Sequence, residues 1–473
     1  AGYGLEGMLI DGNDIHEVEQ AIQTARNFAL DGKPVLIEAK TFRMRGHEEA
    51  SGTFYVPDFL FDEWSEKDPV LRQERYLWDQ KLVDDQSVID QIKAEVDEKI
   101  ETPLRKALEA DEPRAESGHS GLFITGKPRE NGLPYQQNGV PAAKSYTRHH
   151  PKEKRYIDGI TAALRQAFDE DESFLIMGQD IAEYGGVFKV TQDFVKRYGK
   201  ERIRNTPIIE SGAVGAAVGL ALENFKPVLE FQFADFISVA YNQLVNNVAK
   251  GPYRWMPELN ITFRCPHGGG VGAGPFHSQS PEGWFMQHPG LKIVAPYTVE
   301  DAQLLTYSAL YDPNPVLIFE HKKLYRSLKE EAPETCHLVP LDTAAVRREG
   351  SDLTIISYSM GVGWALEAAE RWAKKGVSIE VVDLRVLQPL DLGTVEKSIA
   401  QTNRVLLLQE PSLTMGPMSE ISALISEHCF TELDAPVMRC ASQDTPIPFN
   451  KNLESGYLPI GRLDSKIEQV LSF

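Results

Sequence analysis

Two stretches hold the side chains best placed for chemistry. In residues 205–219 (NTPIIESGAVGAAVG), Ile208 and Ile209 run into Glu210, and Ser211-Gly212 then opens a run of small residues. This order sets Glu210 where a strand ends and a helix begins, in apolar surroundings. Partial desolvation there disfavours the carboxylate, so a raised pKa is expected. Gly212, Gly215, Ala216, Ala217 and Gly219 let another backbone come close. The plainer alternative makes Glu210 only a first-turn acid facing the helix dipole. The second stretch is His277-Ser278-Gln279-Ser280-Pro281-Glu282, just after the glycine run 268–274 (GGGVGAG). A histidine among small polar residues beside such a loop is suited to proton transfer.

Other motifs carry less. The glycine run can be forced into G-x-G-x-x-A, but a dinucleotide fingerprint leaves a strand and opens a helix directly. Pro266 precedes this run, and Pro275 and His277 follow it, so a Rossmann nicotinamide site is rejected; close approach of a ligand or backbone is still expected. Ser357-Tyr358-Ser359-Met360-Gly361 nearly matches the G-x-S-x-G elbow, with serine where its first glycine belongs. Residues 231–236 (FQFADF) put aromatics at the end of a strand and read alone as core. The adjacent His149 and His150 do not share a face of a helix or strand and read as solvated.

The elements that must position these residues alternate strand and helix three times. Residues 7–12 form a strand, Asp14 with Glu17 caps a helix that Gly32 stops, and 34–42 form a second strand. A further parallel strand is expected beside this β-α-β unit. Residues 43–57 break all periodicity and read as a loop at the carboxyl end of a strand, where open sheets carry ligand chemistry. Residues 68–113 are helical and charged, and 116–154 are a linker rich in Gly, Pro, Ser and Asn. A helix over 156–170 and strands at 174–180, 226–233, 260–266, 291–296 and 315–322 form a doubly wound parallel sheet, with helices over 191–199 and 235–250. Thr298 with Asp301 caps another helix. A third α/β unit begins near Ser351, with helices at 363–376 and 417–428. The expected division is 1–115, linker 116–154, 155–345 and 346–473.

At 473 residues the chain needs more than one core. A net charge of −20 repels phosphate and speaks against nucleic acid and anionic membranes as partners. Four dispersed cysteines lack CxxC spacing and fit a reducing compartment. There is no apolar run of spanning length and no secretory signal pattern. An opening at Ala1, without Met and directly before a strand, suggests a fragment or a processed chain.

Together these stretches resemble the thiamin diphosphate-dependent, decarboxylating first component of 2-oxo acid dehydrogenase complexes. Residues 156–473 resemble its whole β subunit through GQDIAEYGGVFKVT, RIRNTPIIESGAVG, KPVLEFQFADF, RCPHGGGVGAGPFHSQSPEGWF, HPGLKIVAP and NPVLIFEHKKLYR. Residues 1–114 resemble the C-terminal part of its α subunit through GLEGMLIDGND, PVLIEAKTFRMRGHEEASGTFYVP and DPVLRQERYL. The resemblance implies a transketolase-like thiamin diphosphate fold: a truncated diphosphate-binding domain, a pyrimidine-binding domain and a transketolase-type C-terminal domain.

It also implies roles. Glu210 would hydrogen-bond a ring nitrogen of the cofactor's aminopyrimidine, and Phe236 would stack on that ring, a geometry worth about 0.5–1.5 kcal/mol beyond area burial. His277 would orient and protonate intermediates. Ile208 and Gln232 would line the cofactor and substrate side, and His47 would reach the diphosphate or the reacting centre. The implied reaction is oxidative decarboxylation of a 2-oxo acid, branched-chain ahead of pyruvate, with acyl transfer to lipoyl-lysine of an acyltransferase component. The assembly would be a homodimer or α2β2-like, in the cytoplasm. Magnesium would complete the cofactor, but Ile10 replaces the first glycine of the family's GDG motif and Asn246-Asn247 lie in the wrong domain. The metal motif and the rest of the α-like segment are therefore expected upstream of Ala1, with no metal ligand in this chain. Gln179 stands where the family's GED element has Glu, and His47 follows Gly46 and precedes Glu48-Glu49 rather than Ser. The rival readings are a transketolase-like or deoxyxylulose-phosphate-synthase-like enzyme and a non-catalytic assembly subunit.

Overall fold

The computed structural model describes residues 4–46, 52–54, 56–111, 123, 152–254 and 258–473. The chain forms two compact units, residues 1–114 and 115–473. In the first, β1 (Glu6–Asp11) and β2 (Val35–Lys40) pair in parallel, joined by helix Ile15–Leu30. Among the described residues this sheet has these two strands, and the expected third is not one of them. Asp14 caps the helix by accepting from the His16 and Glu17 amides. Glu17 does not close the expected reciprocal box: its Oε1 accepts instead from the Asp11 amide, 3.2 Å away. Helices Asp58–Ser65, Pro69–Asp79 and Gln86–Glu109 make up the charged helical arm. Arg72 ties the second of these to the end of β1, with Nη1 2.8 Å from Asp11 and Nη2 2.9 Å from Asp14. Asp11, the acid of the incomplete GDG motif, is thus held by an arginine.

The second unit opens with β3 (Lys152–Arg155), inside the stretch read as linker; it pairs antiparallel with β10 (Lys329–Ala332). Helix Tyr156–Glu170 buries Tyr156, Ile157, Ile160, Ala163, Leu164, Ala167 and Phe168, a three-and-four spacing that faces one side inward. Each large apolar side chain on that face contributes about 1.5–3 kcal/mol. A seven-stranded sheet follows, built from β4 (Phe174–Gly178), β5 (Ile203–Asn205), β6 (Lys226–Glu230), β7 (Thr262–His267), β8 (Lys292–Val294), β9 (Val316–His321) and, from farther along the chain, β14 (Val386–Gln388). Its order is β14-β8-β9-β7-β6-β4-β5, parallel except at β14. β4 is one continuous apolar run, and β4, β7 and β9 are buried along their whole length, as the interior of a parallel sheet covered on both faces requires.

The third layer set is a five-stranded sheet ordered β11-β13-β12-β15-β16. Its strands are β11 (Ala345–Arg348), β12 (Leu353–Ser357), β13 (Ile379–Asp383), β15 (Val405–Ser412) and β16 (Met438–Ser442). Between β13 and helix Leu392–Thr402, β14 (Val386–Gln388) leaves this sheet and pairs antiparallel with β8 at the edge of the larger one. One hydrophobic core runs through both sheets, from Leu175 and Phe263 to Ile356 and Leu407.

Two local expectations are corrected. The strand before Glu210 is Ile203–Asn205, not the Ile208–Ile209 pair. Pro207 lacks the N–H a ladder needs, and Ile208 lies 82 % exposed in the loop that follows. Residues 235–250 are not one α-helix: a 3₁₀ segment (Ala234–Ala240) passes into a π-helix (Gln243–Val248).

Candidate active site

β4 pairs with β5 on one side and β6 on the other, so the strand order reverses there. Open parallel sheets take ligands in the crevice outside the carboxyl ends of strands at such a point. The residues singled out in the sequence emerge at those ends: Gln179 after β4, Glu210 after β5, Gln232 and Phe236 after β6, and His277 after β7.

Glu210 is the first residue of helix Glu210–Leu222, so the first-turn reading and a chemical one coincide. It is half-buried, not sunk in apolar surroundings. Thr206 N donates to Gly178 O (2.8 Å), and the Asn205 side chain accepts from Ala182 N (2.9 Å), which fastens the preceding loop to the end of β4. Gln179 Nε2 donates to Glu210 Oε1 at 3.0 Å. Among the described residues no side chain holds Oε2. The helix buries Ala213, Val214, Ala217, Val218 and Ala221, while a side chain at Gly215 or Gly219 would meet nothing within 4 Å. The close approach expected at those two glycines is therefore absent among the described residues.

Phe233, Phe236 and His277 form one aromatic cluster. His277 meets the two phenylalanine rings edge-on, with centroids 4.7 and 5.6 Å apart. The segment bearing Phe236 packs against the helix that starts at Glu210. The carboxyl and the aromatic cluster thus come from adjoining elements. Gln232 is half-buried beside them. Ile208 is largely solvated in this chain, and His47 lies outside the described residues, as do His149 and His150.

Behind the cluster lies a buried polar network that the sequence reading missed. His267, at the end of β7, has Nε2 3.2 Å from Ser359 Oγ and Nδ1 3.4 Å from Ser280 Oγ. Ser280 Oγ lies 3.5 Å from Glu410 Oε1, and His321 Nε2 lies 2.7 Å from Glu410 Oε2. A carboxylate only accepts, so Ser280 and His321 donate to Glu410; His267 then donates through Nδ1 and accepts from Ser359 at Nε2. Burial, with His321 and Lys322 nearby, holds His267 well below the usual imidazole range, in keeping with a neutral ring. Burial pushes Glu410 up, but His321, the Gly269 amide and Lys322 outweigh it, and the net direction is down. Burial also pushes the Glu282 carboxyl up to about 7, although Tyr358 donates to it at 2.8 Å. The Lys322 ammonium, bonded to Gly268 O at 2.7 Å, is brought down to about 8 by burial.

Ser359 has the backbone of a nucleophile elbow, φ 50° and ψ −138°, between β12 and helix Met360–Ala373. Ser359, His267 and Glu282 even follow the order of an acyl-transfer triad. The last step, His267 Nδ1 to Glu282 Oε2, is 3.7 Å, beyond hydrogen-bond reach, and Ser359 is 2 % exposed. The serine is a buried donor, and hydrolase chemistry is not supported. The glycine run is likewise no dinucleotide loop: its amides bond to Glu410 and Glu454. Among the described residues no group of three or more His, Cys, Asp or Glu side chains is placed to hold a metal ion. No helix among them is long and apolar enough to cross a membrane.

Residues 1–116 match the dehydrogenase E1 component family, 152–327 the transketolase pyrimidine-binding domain and 342–462 the transketolase C-terminal domain. The chain is 42 % identical to the 2-oxoisovalerate dehydrogenase subunit beta of Bacillus subtilis (strain 168) over 306 residues, 64 % of this chain and 94 % of that protein. It is 38 % identical to the Arabidopsis thaliana mitochondrial pyruvate dehydrogenase E1 component subunit beta-1, over 67 % of this chain and 89 % of the relative. Among solved structures, a split gene transketolase described as an inactive beta4 tetramer superposes with a TM-score of 0.56 at 21 % identity, over 67 % of this chain and 98 % of that one. That likeness is one of fold.

Proposed function

We propose roles for individual residues on one premise: the chain belongs to the E1-component family of 2-oxo acid dehydrogenases, with an α-subunit-like stretch fused ahead of a β-subunit-like one. Its reaction is oxidative decarboxylation of a 2-oxo acid with thiamin diphosphate. Bound thiamin diphosphate supplies the electron sink for carbon–carbon cleavage.

The observation that supports the residue roles is that a half-free carboxyl and an aromatic cluster come from adjoining elements at the strand-order reversal. An aminopyrimidine needs both: a carboxyl oxygen for a ring nitrogen and a flat apolar surface for the ring. In this reading Glu210 Oε2 would hold a proton toward that nitrogen, while Gln179 fixes the other oxygen. Phe236 would offer the apolar face for the ring. The His277 imidazole, held edge-on by two phenylalanines, orients the reacting 2-oxo acid and moves a proton at its ring nitrogen. Gln232 and Ile208 would line the substrate side, and a role for His47 toward the diphosphate or the reacting centre belongs to the same reading. Magnesium belongs to the same reading as the diphosphate's counter-ion, and among the described residues no donor set fits it.

Branched-chain 2-oxo acids are the proposed substrates ahead of pyruvate, with the acyl group passing to lipoyl-lysine of an acyltransferase component. The β-subunit relatives of both substrate types support the wider class, and pocket volume separates them by about 1–3 kcal/mol per methylene. A homodimeric or α2β2-like assembly in the cytoplasm belongs to this reading, and the four free, buried cysteines accord with it. So does the division at residues 115, 154 and 345.

The test is Glu210→Gln in the intact enzyme. Release of carbon dioxide from 2-oxoisovalerate is expected to fall at least about 100-fold with the melting temperature unchanged. Turnover like the parent's would sink the role of Glu210.

A further inference from the structure

The loop that carries His277 is pinned on both flanks by carboxylates from elsewhere in the chain, two of them from the C-terminal domain. On its entering flank, Gly268, Gly270, Gly272 and Gly274 all have positive φ, between 72° and 91°. Alternation of that kind turns successive N–H groups into one concave, anion-accepting surface. Two resident carboxylates fill it. Glu454, on helix Lys451–Tyr457, accepts from Gly270 N at 2.8 Å through Oε1 and from Gly272 N at 3.1 Å through Oε2. Glu410, in β15, accepts from Gly269 N at 2.5 Å. On the leaving flank, Ser280 reaches the same Glu410, and Gln279 N donates to Asp235 Oδ1 at 3.0 Å. His277 lies between, its own amide 3.3 Å from Gly274 O.

The fit is close enough to leave the loop one path. A Cβ at Gly268 would lie 2.1 Å from His321 Nε2, and one at Gly274 would lie 2.4 Å from the Phe449 ring. Glu454 is itself buried, so its carboxylate has no water to turn to and depends on those amides.

We propose that Glu454 and Glu410 are positioning residues for His277: the C-terminal domain sets the place of the imidazole by filling the glycine nest with its own carboxylates. The inference rests on the role of His277 given above. It gives the C-terminal domain a part in turnover although none of its residues belongs to the aromatic cluster.

The experiment compares Glu454→Gln, His277→Ala and the double variant in the intact enzyme. Glu454→Gln keeps the shape but presents an amide N–H₂ to amide donors. It is expected to lower kcat at least about tenfold, with KM for the 2-oxo acid changed less than about threefold. In the His277→Ala background the same substitution is expected to cost nothing further. Formate added to a Glu454→Ala variant is expected to restore part of kcat by entering the nest. Unchanged kcat in Glu454→Gln, or an equal loss with and without His277, would overturn the proposal. Unchanged kcat in His277→Ala alone would instead overturn the role of His277. Hydrogen exchange on the parent protein covers the case of poor folding. The Gly270 and Gly272 amides are expected to be protected like those of β7, and exchange at free-loop rates would also overturn the proposal.

Discussion

Among the described residues the only basic group within ion-pair distance of the buried Glu282 is the His267 imidazole, 3.7 Å away and held neutral, and burial pushes the carboxyl from about 4.5 up to about 7. Burial raises it, so the folded chain keeps a proton that the unfolded chain has lost between about pH 4.5 and 7. Stability rises with pH only where the unfolded state binds more protons; here the folded state does, so stability falls through that window. Replacing Glu282 with Gln mimics the protonated acid and removes this term. The variant should therefore gain on the parent by on the order of 3 kcal/mol as pH rises from 4.5 to 7. Urea unfolding at both pH values measures the gap, and a gap that does not change with pH would refute the assignment. Lys322 works in the opposite direction: its lowered ammonium favours the folded state as pH climbs past about 8. Glu210 was legible in the sequence because a carboxyl between an apolar pair and a glycine-rich helix is a local pattern. His267 and Glu410 were not, and Ser359 stood out only as part of a near-elbow. His267 and Glu410 are ordinary in their own segments, and the three come together only because β7, β12 and β15 end near one another.

Among the elements, those with local punctuation were read closest to their observed bounds. Helices Tyr156–Glu170 and Pro417–His428 begin and end at the expected residues. Strands whose reason for existing lies elsewhere were missed. β3 and β10 are charged and short, and each is a strand only because the other is opposite. The π-helix Gln243–Val248 shares its hydrophobic face with an α-helix over so few turns that periodicity cannot separate them; the Ala249 amide reaching Leu244 O, five residues back, reveals it. The glycine run was recognised as a place of close approach, and the structure supplies what approaches. Gly268→Ala tests that element. A methyl at φ 91°, 2.1 Å from His321 Nε2, is expected to destabilise the fold on the order of 3 kcal/mol or more. Thermal denaturation reads this directly, and a melting temperature equal to the parent's would mean the loop has another path.

Across the second unit the two sheets are clasped at Asp301. Its carboxylate pairs with Arg347 and, at 2.8 Å, with Arg385, both from the C-terminal segment, and the residue is 4 % exposed. Without Asp301, Arg347 keeps Asp383 at 2.9 Å, but the largely buried Arg385 loses its carboxylate partner, so Asp301→Ala is expected to cost about 3 kcal/mol. The shared core and the strand exchange at β14 add to the clasp. Chemical denaturation followed by hydrogen exchange in β8 and β12 should therefore show the two sheets opening together in the parent. The β14 strand has a further consequence, in the order in which the chain is made. Val294 of β8 leaves the ribosome long before Val386, its partner, has been joined to the chain. At ordinary rates of synthesis the delay is about 5–20 s. Throughout it the larger sheet has an open edge, the kind that pairs with other nascent chains. Truncation before residue 386 would make that delay permanent, turning a passing hazard of translation into a sticky product.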